Sequence, residues 1–226
     1  PFLMAMAIGP KLKWIKSNIV DKFYLVLFFA ISIVLSFLIV KKFSTNLLIN
    51  TILVSSALYL FFITLRDFFI RKYSNISQNI AHFGFSLLIL SILLNNLFSS
   101  EIITNLKVGE TFTSSKTKIV FKSINQKQEK NYKSIIANFS IENINQKIED
   151  LSPELRIYNQ PNIVTSEADI KTTLLLDKFI VINIVQNQDY FNVRYQVKPF
   201  MLWIWISVIL ISFGGLLSFF KKEHEK

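Results

Sequence analysis

Four long apolar stretches constrain this sequence more than any other feature. They run over Phe23–Val40, about Leu47–Leu65, about Ile80–Phe98 and Phe200–Phe220, and none contains Lys, Arg, Asp or Glu in its interior. A bilayer core about 30 Å thick is crossed by about 20 helical residues. The sequence therefore predicts four transmembrane helices, and hence a polytopic α-helical membrane protein.

Basic residues beside these stretches predict their orientation. Lys and Arg collect in short cytoplasmic loops, so the segments before the first stretch, between the second and third, and after the fourth should share the inner side. Only Lys41 and Lys42 oppose this assignment. We expect a bacterial inner (plasma) membrane or the mitochondrial inner membrane. The basic residues of the three inner segments are Lys11, Lys13, Lys16 and Lys22; Arg66, Arg71 and Lys72; and Lys221, Lys222 and Lys226.

The segment between the third and fourth stretches has a different composition. It is rich in Asn, Gln, Ser, Lys and Glu, yet apolar residues alternate along it as they do in half-buried strands. The predicted fold class is a polytopic α-helical membrane protein with an inserted extracytoplasmic β-rich domain. The predicted divisions are the end of a preceding helix and a cytoplasmic loop (1–22), three transmembrane helices (23–98), the β-rich domain (99–198), the last transmembrane helix (199–220) and a cytoplasmic tail (221–226).

Alternation within the β-rich segment also predicts which residues face its core. Turns are expected at Lys107–Glu110, around Gly109, and near Pro153 and Pro161, because Gly and Pro interrupt strands. The sets predicted to share a strand face are Ile135, Ala137, Phe139 and Ile141; Phe179, Val181 and Val185, interrupted by Asn183; and Val193, Tyr195 and Val197.

Charge and cysteine content exclude several classes of function. The net charge is +10, but the basic residues are scattered beside apolar stretches, which favours membrane orientation over nucleic-acid binding. The expected partner of the apolar surface is therefore membrane lipid, with no nucleic acid. The chain has no cysteine, so it can form no disulfide, thiolate metal site or cysteine nucleophile.

His82 is the residue of most chemical interest, because it lies within the third apolar stretch. An ionisable residue at membrane depth is costly and suggests a functional site. The alternative is a polar group hydrogen-bonded to a neighbouring helix near the interface. If His82 binds a metal, haem iron is the expected species, because imidazole is its usual axial ligand. Gly84 leaves room beside it for a planar cofactor or, more commonly, for another helix.

The remaining candidates have ordinary structural explanations. His224 lies in the charged tail, and Trp203 and Trp205 fit an aromatic belt at a membrane interface. Gly214-Gly215 indicates close helix packing. The possible thioether ligands of a haem are Met4, Met6 and Met201, although methionine in an apolar helix usually serves packing.

Short motifs in a fixed order resemble the C-terminal third of the CcmF family, the haem lyases of cytochrome c maturation. They occur in the family's order over nearly the whole chain. The matching pieces are Gly9-Pro10 with Trp14; Ala81-His82-Phe83-Gly84; Gly109-Glu110; Asn131-Tyr132; Pro153-Glu154-x-Arg156-x-Tyr158; Thr165-x-Glu167; and Arg194-Tyr195-x-x-Lys198-Pro199-Phe200-x-x-Trp203-Ile204-Trp205 followed by Gly214-Gly215.

The resemblance implies a cofactor, a site and partners. Proteins of this family hold a b-type haem between two transmembrane histidines, and His82 matches one of these ligands (haem b, through its iron). They receive haem from the chaperone CcmE and join it to the thiols of an apocytochrome c, which CcmH holds. The resemblance also implies a missing or separate N-terminal CcmF portion that carries the other haem-binding residues. This chain alone is then not expected to be an active lyase, and no catalytic residue can be assigned within it.

Two other classes of function remain open from the residues alone. A transporter or permease subunit would show polar or broken helices around a midplane site, and these stretches show neither clearly. A structural membrane anchor with an external interaction domain would use His82 only for packing. These alternatives differ from the haem lyase in whether His82 is needed for a b-type haem spectrum.

Overall fold

A computed structural model describes residues 2–9, 23–43, 46–70, 76–143, 148–185 and 188–224. The chain forms two compact units, one of residues 1–98 with 199–226 and one of residues 99–198. The expectations for Pro10 and Trp14 fall outside the described residues, as do those for most of the basic residues used to predict orientation. These basic residues are Lys11, Lys13, Lys16, Lys22, Arg71, Lys72 and Lys226.

The first unit is helical. Its four long helices are long and apolar enough to cross a membrane, judged by length and composition. They coincide with the four apolar stretches of the sequence. The helices are α1 (Phe2–Ile8), α2 (Phe23–Phe43), α3 (Leu47–Ile70), α4 (Ile76–Phe98) and α5 (Met201–His224).

α3 extends beyond the end of its apolar stretch, and α4 begins before the start of its own. α3 continues past Leu65 because its charged residues are satisfied: Arg66 lies 3.8 Å from the Asp67 carboxylate, and its guanidinium covers the Tyr24 ring at 3.6 Å. α4 begins at Ile76 rather than at Ile80. A polar first turn is compatible with a helix when its side chains find partners, so the apolar stretch underestimates the helix length.

The helices pack in chain order, α2 on α3, α3 on α4 and α4 on α5, and α1 packs on α3. α4 therefore has a neighbouring helix on two sides. The outward faces of α2 and α5 are apolar and exposed, with Leu38 at 60% and Ile209 at 66% of full exposure. Such surfaces suit lipid as the surrounding medium.

The second unit consists of two antiparallel sheets. One has the order β1-β10-β9-β8, and the other has the order β2-β3-β4-β6-β7 with β5 paired to β4. The strands are β1 (Ser100–Leu106), β2 (Thr111–Thr113), β3 (Thr117–Gln128), β4 (Tyr132–Asn143), β5 (Ile148–Leu151), β6 (Glu154–Asn159), β7 (Asn162–Glu167), β8 (Asp169–Thr172), β9 (Leu176–Ile184) and β10 (Phe191–Pro199).

The apolar core of the second unit is built from both sheets. Phe121 and Phe139 stack at its centre, with ring centroids 4.4 Å apart. Phe139 on β4 and Tyr195 on β10 are buried, as predicted from the alternation of their strands. The full buried set is Leu106, Ile119, Phe121, Ala137, Phe139, Ile141, Leu151, Leu155, Ile180, Ile182, Val193 and Tyr195.

The prediction for β9 chose the wrong face. Its buried residues are Ile180 and Ile182, whereas Phe179 is half-buried and pairs with Ile170 of the edge strand β8. The cause is that apolar residues occupy consecutive positions here, so alternation does not define the phase of the strand. A one-residue change of phase exchanges the two faces of a strand.

The predicted turns are present. Gly109 has a φ of +88°, a conformation that favours glycine, and its N–H donates to the Phe121 carbonyl at 2.8 Å. Pro153 separates β5 from β6, and Pro161 lies in the turn between β6 and β7.

Candidate functional site around His82

His82 lies near the end of the second turn of α4, about 9 Å along the helix axis from Ile76 at 1.5 Å per residue. Its side chain is half-buried. Within the described part of the chain, the imidazole makes no recorded hydrogen bond or ion pair.

Polar contacts fix α4 against α3 on both sides of His82. Three residues before it, the Asn79 amide donates to the Asp67 carbonyl at 3.1 Å. Four residues after it, the Ser86 hydroxyl lies 2.7 Å from the Thr64 hydroxyl, and both residues are buried. Since residues three and four apart share a helix face, these contacts define the face that α4 turns toward α3.

Aromatic contacts reinforce the same face. The Phe83 ring lies between two rings of α3, with centroids 5.7 Å from Phe61 and 5.6 Å from Phe68. Such tilted aromatic pairs add about 0.5–1.5 kcal/mol each beyond the area that they bury. The residue next to His82 in sequence is thus firmly packed, which limits rotation of the helix that carries the histidine.

The opposite face of α4 packs directly on α5. A Cβ on Gly84 would lie 2.9 Å from the Leu210 Cβ and 3.0 Å from the Ile211 backbone nitrogen. The space beside Gly84 could have held a planar cofactor or another helix, and the neighbouring helix α5 fills it. Small residues allow this approach of backbones, as in other apolar helix pairs.

His82 lies at the border of the face that α4 turns toward α3, because it is three and four residues from the two polar contacts on that face. Its neighbour one turn on, Phe85, packs against a cluster of α1 and α3 that includes Ala7 and Tyr59, while Gln78, one turn before, is exposed. The half-buried imidazole is therefore carried by a helix that both neighbouring helices hold in place.

Among the described residues, one histidine, His82, lies within an apolar stretch. Across the described ranges there is no group of three or more His, Cys, Asp or Glu that could hold a metal ion. Met4 and Met6 pack beside the cluster of Ala7 and Tyr59, as ordinary apolar residues do. Met201 begins α5. Because Asn95 of α4 donates to the Pro199 carbonyl, that end of α5 lies near the C-terminal end of α4, away from His82.

The aromatic residues of α5 agree with an interfacial position. Trp205 is 64% exposed, and Trp203 is half-buried. Both lie in the first turns of the helix, as an aromatic belt requires. His224 is the last residue of the same helix.

A buried polar group in the β unit was not predicted from the sequence. Lys178 of β9 donates to Glu149 of β5 at 2.8 Å, which joins the two sheets through an ion pair whose side chains are 13% and 5% exposed. Burial, and secondarily the Glu149 charge, raises the pKa of the nearby Tyr195 phenol to about 12. Glu149 falls at a buried position of the alternating strand β5, which is the one sequence signal that could have identified it.

Comparison with known proteins supports a specific family. The family described as CcmF C-terminal beta-sandwich matches residues 97–199. The cytochrome c-type biogenesis protein CcmF of Escherichia coli (strain K12) is 22% identical over 100% of this chain and 36% of that protein. CcmF of Haemophilus influenzae is 25% identical over 99% of this chain and 37% of that protein. The ccl1 protein of Rhodobacter capsulatus is 31% identical over 52% of this chain and 18% of that protein.

A solved structure agrees with the fold. The cytochrome c haem lyase CcmF superimposes with a TM-score of 0.69 and 16% identity, over 95% of this chain and 37% of that one. At this identity the likeness concerns the fold alone. The chain spans just over a third of the length of the relatives that match all of it.

Helices long and apolar enough to cross a membrane and a β-sandwich unit, together with these relatives, make the chain similar to cytochrome c-type biogenesis proteins. Within that class the chain is similar to CcmF proteins, and residues 97–199 match the C-terminal β-sandwich of that family.

Proposed function

We propose that this chain is part of the haem lyase of cytochrome c maturation, in which it holds a transmembrane b-type haem and helps to attach haem covalently to apocytochrome c. The single observation that carries this proposal is the position of His82. A half-buried imidazole with no hydrogen-bond partner among the described residues lies on an apolar helix that two neighbours hold in place. The names of the relatives support the role in cytochrome c maturation.

In this proposal α2, α3, α4 and α5 cross the bacterial inner membrane or the mitochondrial inner membrane. The β unit lies on the periplasmic or intermembrane side. Support for the crossing comes from the length and composition of the helices and from their exposed apolar faces. Support for the orientation comes from the basic residues at the opposite ends of the helices, of which Arg66 is described.

His82 would hold the haem iron through its imidazole, together with a group outside this chain. The haem, when bound, would supply a one-electron redox couple. The residues of this chain hold the ligand: Asn79 and Ser86 fix the helix against α3, and Gly84 fixes it against α5. Rigid placement favours metal binding, because less ordering is needed when the ligand binds.

The β unit serves in this proposal as a docking surface for the proteins that deliver and receive haem. The partners are the haem chaperone CcmE, the apocytochrome c and the apocytochrome-holding protein CcmH. The N-terminal CcmF portion completes the haem site. Support for a docking role comes from the architecture, since a folded domain inserted between apolar helices offers polar sheet faces outside the helical unit.

The proposal is tested by an absorption spectrum of the purified protein, reduced and oxidised, after co-expression with an N-terminal CcmF portion. We expect a b-type spectrum that is lost in His82→Ala. Gln78→Ala is the matched control, because Gln78 is exposed and lies one helical turn before His82. This control should keep the spectrum.

A second variant separates loss of the ligand from loss of the fold. His82→Gly leaves a space that free imidazole fills, so added imidazole should restore the b-type spectrum if His82 is a ligand. An unchanged spectrum in His82→Ala, or no haem in the parent complex, would contradict the proposal. The chain would then be explained better as a structural anchor or as a subunit of a transporter.

A further inference from the structure

The hairpin between β8 and β9 exposes three consecutive leucines. Leu174 is 62% exposed, Leu175 is 54% exposed and Leu176 is 37% exposed. Other apolar residues of this unit are exposed singly or in pairs, whereas these three form a continuous run at the tip of one hairpin. Exposed apolar side chains on a water-facing loop gain nothing from folding. The tip of this hairpin, residues 173–176, is called the leucine tip below.

Hydrogen bonds between Thr173 and Leu176 close the turn at the leucine tip. The Thr173 N–H donates to the Leu176 carbonyl at 2.9 Å, and the Thr173 hydroxyl donates to the same carbonyl at 2.8 Å. The Leu176 N–H lies 3.1 Å from the Thr173 hydroxyl oxygen. Since these polar groups of Thr173 and Leu176 are paired with each other, they can enter a medium of low dielectric constant without leaving a hydrogen bond unmade.

The strand topology places the leucine tip at one particular end of its sheet. β1 begins at Ser100, which pairs with Val197 of the antiparallel strand β10. β9 lies between β10 and β8, and the short link 185–190 joins it to the start of β10. β9 therefore begins at the end of the sheet where β10 ends. The leucine tip lies at the end where β1 begins and β10 stops.

Both chain connections to the apolar helices leave from this same end. α4 ends at Phe98, two residues before β1, and α5 begins at Met201, two residues after the end of β10. If α4 and α5 cross a membrane, this end of the sheet is held near the membrane surface by two short connections. Lys171 on β8 and Lys198 on β10 lie toward the same end, where cationic side chains can contact lipid phosphates.

We propose that the leucine tip inserts into the interfacial layer of the bilayer that α4 and α5 cross, and so forms a third membrane attachment of the β unit. Leu174 and Leu175 enter the boundary between headgroups and acyl chains, as apolar residues of interfacial segments do over about 5–10 Å. The third attachment restricts tilting of the β unit about its two covalent connections. This inference rests on the proposed membrane placement of the helices.

The absence of cysteine allows a direct test by single labels. Leu175→Cys is labelled with an environment-sensitive fluorophore in the full chain, reconstituted in phosphatidylcholine–phosphatidylglycerol vesicles. We expect lipids that carry a nitroxide near the headgroup to quench the fluorescence of this label. Aqueous iodide should not quench it. Val108→Cys is the matched control, because Val108 is 49% exposed in the turn at the opposite end of the sheet. Its label should be quenched by iodide alone.

A third label distinguishes failure of this inference from failure of the membrane placement. Ile209→Cys lies on the exposed apolar face of α5, so its label should be quenched by nitroxide lipids if α5 crosses the bilayer. Quenching by nitroxide lipids at position 209, with quenching by iodide alone at position 175, would overturn the insertion of the leucine tip. The membrane placement of the helices would then stand. Lipid quenching at neither position would overturn both. If the label at position 175 is protected from iodide only after apocytochrome c is added, the tip contacts a protein partner instead. That result would also overturn the inference.

Discussion

Gly214 of α5 contacts the backbone of α4 beside Ala81, the residue before His82. A Cβ on Gly214 would lie 2.7 Å from the Ala81 nitrogen and 2.8 Å from the Ser77 carbonyl oxygen. Real Cβ atoms essentially never approach backbone atoms so closely, so any side chain at this position must separate the two helices. The proposed haem ligand is thus carried by a helix whose position depends on one glycine of another helix.

The first prediction compares the two adjacent glycines. Gly214→Ala should lower the thermal midpoint of the detergent-purified protein, because the methyl group meets the α4 backbone. Gly215→Ala should leave it unchanged or raise it, because nothing lies within 4 Å of its Cβ and alanine favours a helix over glycine by about 0.5–1 kcal/mol. Circular dichroism during heating measures both. Equal midpoints for the two variants would contradict the close packing of α4 and α5.

The second prediction concerns the hydrogen bond between Thr64 and Ser86. We expect a coupling free energy of about 0.6 kcal/mol, and at most about 1.7 kcal/mol, in a double-mutant cycle of Thr64→Val and Ser86→Ala. The value is small because each hydroxyl has one proton and an alternative acceptor in its own helix, the Leu60 carbonyl for Thr64 and the Phe83 carbonyl for Ser86. Reversible unfolding in mixed detergent gives the four free energies. Strictly additive effects of the two substitutions would show that the interhelical bond contributes nothing.

The third prediction compares neighbouring carboxylates in β5. Glu149→Gln should destabilise the β unit by about 3–5 kcal/mol, because it leaves the buried Lys178 ammonium without its counter-charge. Asp150→Asn should have little effect, although Lys122 lies 2.7 Å from Asp150, because that pair is exposed to water and salt. Denaturant unfolding of the full chain, followed by near-ultraviolet circular dichroism, measures both changes. Similar losses for the two variants would mean that burial of the Glu149–Lys178 pair is unimportant.

The fourth prediction concerns Tyr195 at alkaline pH. Its pKa is raised to about 12 by burial, from an ordinary value of 10.0, so an unfolded chain releases this proton at a lower pH than the folded one. The stability that the neutral phenol contributes is complete below pH 10 and is lost between about pH 10 and 12. Tyr195→Phe should reduce this alkaline loss and cost little at neutral pH, because the hydroxyl has no hydrogen-bond partner among the described residues.

The tyrosinate absorbance band measures this titration directly. The parent chain should show a late ionisation step, and Tyr195→Phe should reduce its amplitude by one tyrosine while the earlier steps remain. A titration that is identical in the two proteins would show that Tyr195 ionises with the exposed tyrosines.

The sequence predicted the elements of this fold better than their packing. Long apolar stretches identify the helices, because no other structure accommodates such runs, and one-sided alternation correctly identified the buried face of β4. The face of β9 was wrong because residues 179–182 are all apolar. The ends of α3 and α4 were set too short because polar side chains such as Asn79 find partners that lie in another helix.

The candidate site, like the fold, was predicted from the sequence only in part. His82 was identified from the sequence, because an ionisable residue in an apolar stretch is rare, and its role as a haem ligand stays a prediction. Its surroundings could not be predicted: Phe83 meets Phe61 and Phe68 across two helices, a relationship that no local pattern encodes. The doublet Gly214-Gly215 indicated close packing, but which glycine makes the contact depends on the rotation of α5.

The pairing of β1 with β10 has a consequence for how this chain folds. α4 and α5 are the two arms of a helical hairpin whose connecting loop is the whole segment 99–198. Closing so long a loop costs conformational entropy, and this cost arises before contacts between α4 and α5 can offset it. Once Ser100 has paired with Val197, however, the arms are separated by only a few residues at each end. We therefore expect the sandwich to form first, so that α5 reaches Gly84 and Ala81 as the late step of assembly.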